Sequence, residues 1–171
     1  MSHGAVVWLT GLPSSGKTTL AERIAARLRE ERVPAVVLDS DEVRDVVVPS
    51  LGHGVADRDV FYQTLGGLAS LLARRGLVVL VAATAHRRVW REHARHRAPR
   101  FVEVYVATPL EECRRRDPKG LFARAGDLPE LPGVGVPYEP PLRPEVIAAQ
   151  GDEAEAAAAV LALLGIGELT A

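Results

Sequence analysis

Residues 11 to 18 read Gly-Leu-Pro-Ser-Ser-Gly-Lys-Thr, a G-x-x-x-x-G-K-T spacing whose residue types suit the cradling of phosphate. Gly11 and Gly16 let the backbone wrap so that its N–H groups face anionic oxygens. Lys17 brings a mobile positive charge to the β- and γ-phosphates, and the Thr18 hydroxyl is a ligand type for Mg²⁺. The apolar run Ala5 to Leu9 precedes this loop and a helical pattern from Thr18 to Arg23 follows it. A strand therefore delivers the loop and a helix N-terminus backs it with unpaired donors. The motif implies a nucleoside-triphosphate site formed by Gly11, Pro13, Ser14, Ser15, Gly16, Lys17, Thr18 and Thr19.

Of the 21 Lys and Arg residues, only Lys17 and Lys119 are lysines. A chain that uses arginine almost everywhere else keeps a compact, flexible ammonium at the loop, where an arginine fork is no substitute. Lys119, in Asp117-Pro118-Lys119-Gly120, is a candidate for a second phosphate contact.

The next candidates are carboxylates. Asp39 and Asp41 stand at the end of the apolar run Ala35 to Leu38. One can hold Mg²⁺ while the other orients or deprotonates an acceptor hydroxyl. A helix N-cap at Ser40 or Asp41, ahead of Glu42-Val43-Arg44, is a structural role compatible with that chemistry.

The elements that must position these groups follow from pattern. Strands are expected at Ala5 to Thr10, Ala35 to Leu38, Leu77 to Ala82 and Phe101 to Val106. Helices are expected at Lys17 to Glu31, Asp41 to Val47, Asp57 to Arg75, Val89 to Arg95, Pro109 to Arg116 and Glu153 to Leu164. Near-continuous apolar strands alternating with helices predict an α/β fold, a mostly parallel sheet sandwiched by helices. Ligands in such folds gather at the carboxyl ends of strands, where the loop, Asp39 to Asp41 and Ala83 to Arg88 all fall. Residues 1–171 are read as one domain. Residues 117 to 144 are rich in proline and glycine, without helical or strand period, and begin among Arg114, Arg115, Arg116, Lys119 and Arg124. That is the composition of a lid. Residues 165 to 171 are read as a short frayed tail.

Totals narrow the class. A net charge of −1 exerts no general pull on nucleic acid or membrane, and no apolar run has the length of a membrane span. The lone Cys113 forms no internal disulfide and reads as packing. The first strand begins within a few residues of Met1, so no signal peptide is expected and a cytoplasmic location is. The basic stretch Arg87 to Arg97 reads as a solvated helix face with Trp90 turned inward rather than a nucleic-acid site. Histidines 86, 93 and 96 have no partners at metal spacing. The chain contains no asparagine, so the guanine motif N-K-x-D of G proteins is absent, and a small domain with a basic lid favours a kinase.

Several segments together resemble the adenylylsulfate (APS) kinase family. They are Gly11 to Thr19, Leu38 to Arg44, Asp57-Arg58, Phe101 to Val106, Glu111 to Phe122, Pro137-Tyr138-Glu139 and Pro144-Glu145. The D-P-K-G-L-[YF] and P-Y-E elements are far more specific than the phosphate loop. The resemblance implies a P-loop kinase fold with a lid, and transfer of the γ-phosphate of MgATP to the 3′-hydroxyl of APS, usually by a dimer. It implies that Lys17, Asp39 and Asp41 are catalytic, that Arg116 joins the loop at ATP, and that Thr18 and Asp39 serve the metal. Arg44, His53, Arg58, Phe61, Lys119, Gly120 and Leu121 fall on the acceptor side.

The departures from the family cluster at the acceptor. The usual stacking phenylalanine falls at His53 and a second, in the lid, near Leu131. The usual asparagine is Phe61, the arginine two beyond it is Gln63, and F-I-S-P reads Ala83-Thr84-Ala85-His86. The acidic pair before P-Y-E is Gly135-Val136, and the glycine between the aspartates is Ser40. The alternatives are an APS kinase with a rebuilt pocket, a relative acting on another anionic hydroxyl compound, and a non-catalytic ATP-binding regulator.

Overall fold

The computed structural model describes residues 4–167. Five strands, β1 (Ala5–Thr10), β2 (Ala35–Asp39), β3 (Val78–Ala82), β4 (Phe101–Val106) and β5 (Val146–Ala148), form one sheet in the order β2-β3-β1-β4-β5. Every pairing is parallel. β1 lies at the centre with all six residues buried, which is why it reads as an unbroken apolar run.

Helices cover both faces. The helices α1 (Lys17–Glu30) and α6 (Glu153–Leu164) pack Leu20, Ile24, Leu28, Val160 and Leu161 against Val7, Leu9, Leu80 and Val104. On the other face, α3 (Val55–Arg74) and α4 (Arg88–Arg97) bring Phe61, Tyr62, Leu65 and Trp90 onto Val6, Trp8, Val79 and Val81. Two shorter helices, α2 (Ser40–Val46) and α5 (Leu110–Arg116), follow β2 and β4 at the carboxyl edge of the sheet. Trp90 does turn inward, 3% exposed, with its indole N–H donating to Asp59 at 2.5 Å. Among the described residues no helix is long and apolar enough to cross a membrane.

Three expectations are corrected. The strand β5 has only three residues with Ile147 exposed, too short for a period, yet it extends β4 in parallel. The α3 helix starts at Val55, two residues before Asp57, because Gly54 takes the extended cap position. The tail is not frayed from residue 165. Gly165 is left-handed, the Ile166 amide donates to Leu161 O at 2.9 Å, and Ile166 packs into the core at 6% exposure. The rest of that segment, 168–171, lies outside the described residues.

A buried ion network fastens residues 139–145 to the sheet. Arg91, 1% exposed, pairs with Glu103 at 2.8 Å and donates to Ala85 O and Glu139 O. Arg95 bridges Glu103 and Glu145, and Glu145 accepts the Glu103 backbone N–H at 2.6 Å. Removing one partner strands a buried charge, so Glu103→Ala should lower unfolding stability by about 3–5 kcal/mol in urea titrations. A loss below about 1 kcal/mol would show that the network contributes little.

Candidate active site

The loop after β1 and the carboxyl ends of β2 and β3 meet at a cavity of about 600 Å³. On its phosphate side the wall is made by Pro13, Ser14, Ser15, Gly16, Lys17, Thr18 and Thr19, with Arg116 from the end of α5. Ser14 and Gly16 have φ of 62° and 98°, so successive left-handed turns bend the backbone into a concavity of the kind that binds anions. The loop is braced from below, because the Thr108 hydroxyl donates to Ser15 O at 2.7 Å. Cys113 is fully buried nearby and its thiol donates to Thr108 O at 3.6 Å, a packing role.

Gly11 does not reach the cavity wall. A Cβ at this buried position would stand 2.6 Å from Val106 O, so its glycine is required by the close approach of the loop to β4. The cavity wall on this side is therefore formed by the later loop residues, Pro13 to Thr19.

The Lys17 ammonium donates to Leu12 O at 2.7 Å, Gly11 O at 3.1 Å and Ser15 Oγ at 3.4 Å. Burial draws its pKa down to about 8, opposed by Cys113, Asp41 and Asp39. Asp39 is the N-cap of α2, in place of the expected Ser40 or Asp41. Its Oδ1 accepts from the Asp41 amide at 2.8 Å and its Oδ2 accepts from the Thr18 hydroxyl at 2.5 Å. Hydroxyl and carboxylate oxygens side by side at a phosphate loop are the donor set of a hard divalent cation. Asp41 is exposed and ion-paired with Lys119, which reaches across from the 117–144 segment.

Of the residues expected on the acceptor side, Arg44, His53, Arg58, Lys119 and Leu121 line the same cavity, joined by Leu131. Arg58 is 7% exposed and its Nη2 donates to Glu130 O at 3.0 Å, tying α3 to the 117–144 segment. Partial burial lowers the His53 pKa and the charges of Arg44 and Arg58 lower it further, which favours the neutral ring. Gly120 is not on the wall. It closes the turn from Asp117, with its amide on Asp117 O at 3.0 Å, and so sets the places of Lys119 and Leu121.

Phe61, expected on the acceptor side, is also off the wall, with no exposed surface. Tyr62 lines the cavity instead, and its hydroxyl accepts from the Ala85 amide at 3.2 Å. The i, i+4 spacing from Arg58 was the available signal for it. Thr84 also lines the cavity, and its carbonyl accepts from the Thr10 hydroxyl at 2.7 Å. Thr10 in turn meets the Tyr138 hydroxyl at 2.9 Å, which anchors the P-Y-E element. The missing acidic pair has a local reason at Gly135, where a Cβ would fall 1.9 Å from Pro129 O.

A phosphate loop at the carboxyl edge of a parallel sheet, facing two aspartates and an arginine-lined acceptor side, defines a P-loop kinase. The family model for adenylylsulphate kinase matches residues 3–149. An adenylyl-sulfate kinase of Gloeothece citriformis is 46% identical over 146 residues, covering 84% of this chain and 83% of the relative. One from Chloroflexus aurantiacus is 44% identical over 84% of this chain and 78% of its own length. The structure of the Mycobacterium tuberculosis APS kinase CysC in complex with AMPPNP and APS superposes with a TM-score of 0.89. It is 37% identical and covers 95% of this chain and 98% of that one. The chain belongs to the adenylylsulphate kinase family.

The Lys17 environment has a consequence for pH. Near pH 8 the free ammonium is partly deprotonated, whereas bound phosphate favours the charged form. Nucleotide binding should therefore take up protons at pH 8–8.5 and not at pH 6.5, and affinity should fall as pH rises past 8. Calorimetry in buffers of different ionisation enthalpy measures the uptake; the same value at both pH values would contradict the lowered pKa.

Proposed function

We propose that this protein transfers the γ-phosphate of ATP to the 3′-hydroxyl of APS, giving 3′-phosphoadenylylsulfate. The observation that carries the reading is a single cavity that holds the phosphate loop and an arginine-bearing acceptor side, with Asp39 and Asp41 on its wall. Family membership and the Mycobacterium tuberculosis neighbour solved with AMPPNP and APS support the same donor and acceptor.

In this reading the backbone donors of Ser14 to Thr19 bind the phosphates, and Lys17 exchanges its carbonyl partners for the β- and γ-oxygens. Thr18 and Asp39 would hold Mg²⁺, which would neutralise charge on the phosphate being transferred. Asp41 orients or deprotonates the acceptor hydroxyl, and Lys119 holds it in place until substrate phosphates compete for the ammonium. Arg44 and Arg58 fix the acceptor's anionic groups beside the imidazole of His53 and the side chain of Leu131. Residues 117–144 act as a lid that excludes water through the Arg58 to Glu130 contact and Lys119. Self-association as a homodimer belongs to the same proposal; the APS kinase of Thiobacillus denitrificans is a hexamer.

ADP release from MgATP should depend on APS. Asp39→Ala should lower transfer about 100-fold or more while nucleotide still binds. Turnover of that variant at the wild-type rate would remove Asp39 from the chemistry.

A further inference from the structure

We infer that Phe61, which touches no part of the cavity, is a positioning residue that fixes the Arg44 guanidinium for the acceptor's anionic group. The inference rests on the proposed APS reaction and adds to it a residue whose action passes through another.

Arg44 lies in the last turn of α2, on a long side chain that is otherwise free to sample many rotamers. Two contacts remove that freedom. The guanidinium carbon sits 3.8 Å from the centroid of the Phe61 ring, a stacked cation–π contact. At one corner of the group Nη1 donates to Gly52 O at 2.8 Å and Leu51 O at 3.4 Å. The planar group thus rests against an aromatic face and is tied by one nitrogen to two carbonyls of the segment that leads into His53.

The division of donors is informative. Nη1 is taken by the protein, whereas Nε and Nη2 have no hydrogen-bond partner among the described residues. Those two N–H groups form one edge of the guanidinium, the edge that recognises a phosphate or sulfate oxygen pair. Arg44 lines the cavity and Phe61 does not.

Phe61 is itself immobilised. It is fully buried in the α3 layer, with Tyr62 edge-on at 5.3 Å. Tyr62 stacks on Trp90 at 4.6 Å, and Trp90 meets His86 edge-on at 4.9 Å. The Tyr62 hydroxyl accepts from the Ala85 amide. This aromatic row runs from the acceptor arginine to the rebuilt Ala83-Thr84-Ala85-His86 stretch, so two departures from the family pattern belong to one packed unit. Where an asparagine would offer an amide, the ring offers a π face to the Arg44 cation.

A double-mutant cycle tests the inference, with steady-state constants measured separately for APS and ATP. Phe61→Leu should raise the APS KM about tenfold. Its ATP KM and kcat should stay within about twofold of wild type. In an Arg44→Ala background the same change should move the APS KM by less than about twofold, because its effect travels through the arginine. An equal rise in both backgrounds, or a matching rise in the ATP KM, would overturn the inference and leave the APS reaction standing. A wild type that neither binds nor phosphorylates APS overturns the proposed function, and the inference with it. A readout on the wild type alone guards against poor folding of the variant. The Arg44 Nε–H resonance, assigned by its loss in Arg44→Lys, should be shifted upfield by the ring; an unshifted resonance would contradict the stacked geometry.

Discussion

A desolvated ammonium at the start of α1 sets the terms for the rest of the molecule. Lys17 has three oxygen partners, all from its own loop, and they compensate burial only in part, so its pKa is pulled down to about 8. A loop that holds a lysine this way must itself be rigid. Gly11 packs without a side chain against β4, Thr108 ties down Ser15, and fully buried β1 anchors the whole. Phosphate oxygens are better partners than neutral carbonyls, so nucleotide binding relieves a cost that folding has left in place.

The same economy of donors shapes the acceptor side. Asp39 spends one carboxylate oxygen on the α2 cap and the other on Thr18, so the second strand is registered against the phosphate loop through a single side chain. Arg58 spends a donor on Glu130 and Arg44 one on the segment before His53, so each arginine ties an irregular stretch to α2 or α3. The buried Arg91–Glu103 pair then secures the far end of the 117–144 segment. A long irregular chain is thus held at its middle and near its far end by charged groups, while residues between Pro118 and Pro132 line the cavity.

Much of this was legible in residue order. The phosphate loop, four of the five strands and the carboxyl-edge position of Asp39 and Asp41 follow from local pattern, because β1 and β3 are fully buried, β4 nearly so, and only Glu103 breaks the apolar run of β4. The three-residue β5 was not legible, since its pairing comes from β4 and not from its own period. Which carboxylate caps α2 was also hidden, because Asp39, Ser40 and Asp41 all suit a cap and only the Thr18 contact selects Asp39. Phe61 shows a different limit. Its replacement of an asparagine was visible, but that its ring lies beneath Arg44 depends on how α2 and α3 pack.

The central claim is that the cavity joins ATP to the 3′-hydroxyl of APS. Phosphorus NMR of the product formed from MgATP and APS tests it most directly. One new phosphomonoester signal coupled to the ribose 3′ proton, in equal amount to ADP, is the predicted result. ADP appearing without that signal, or phosphate on any other position, would contradict the account.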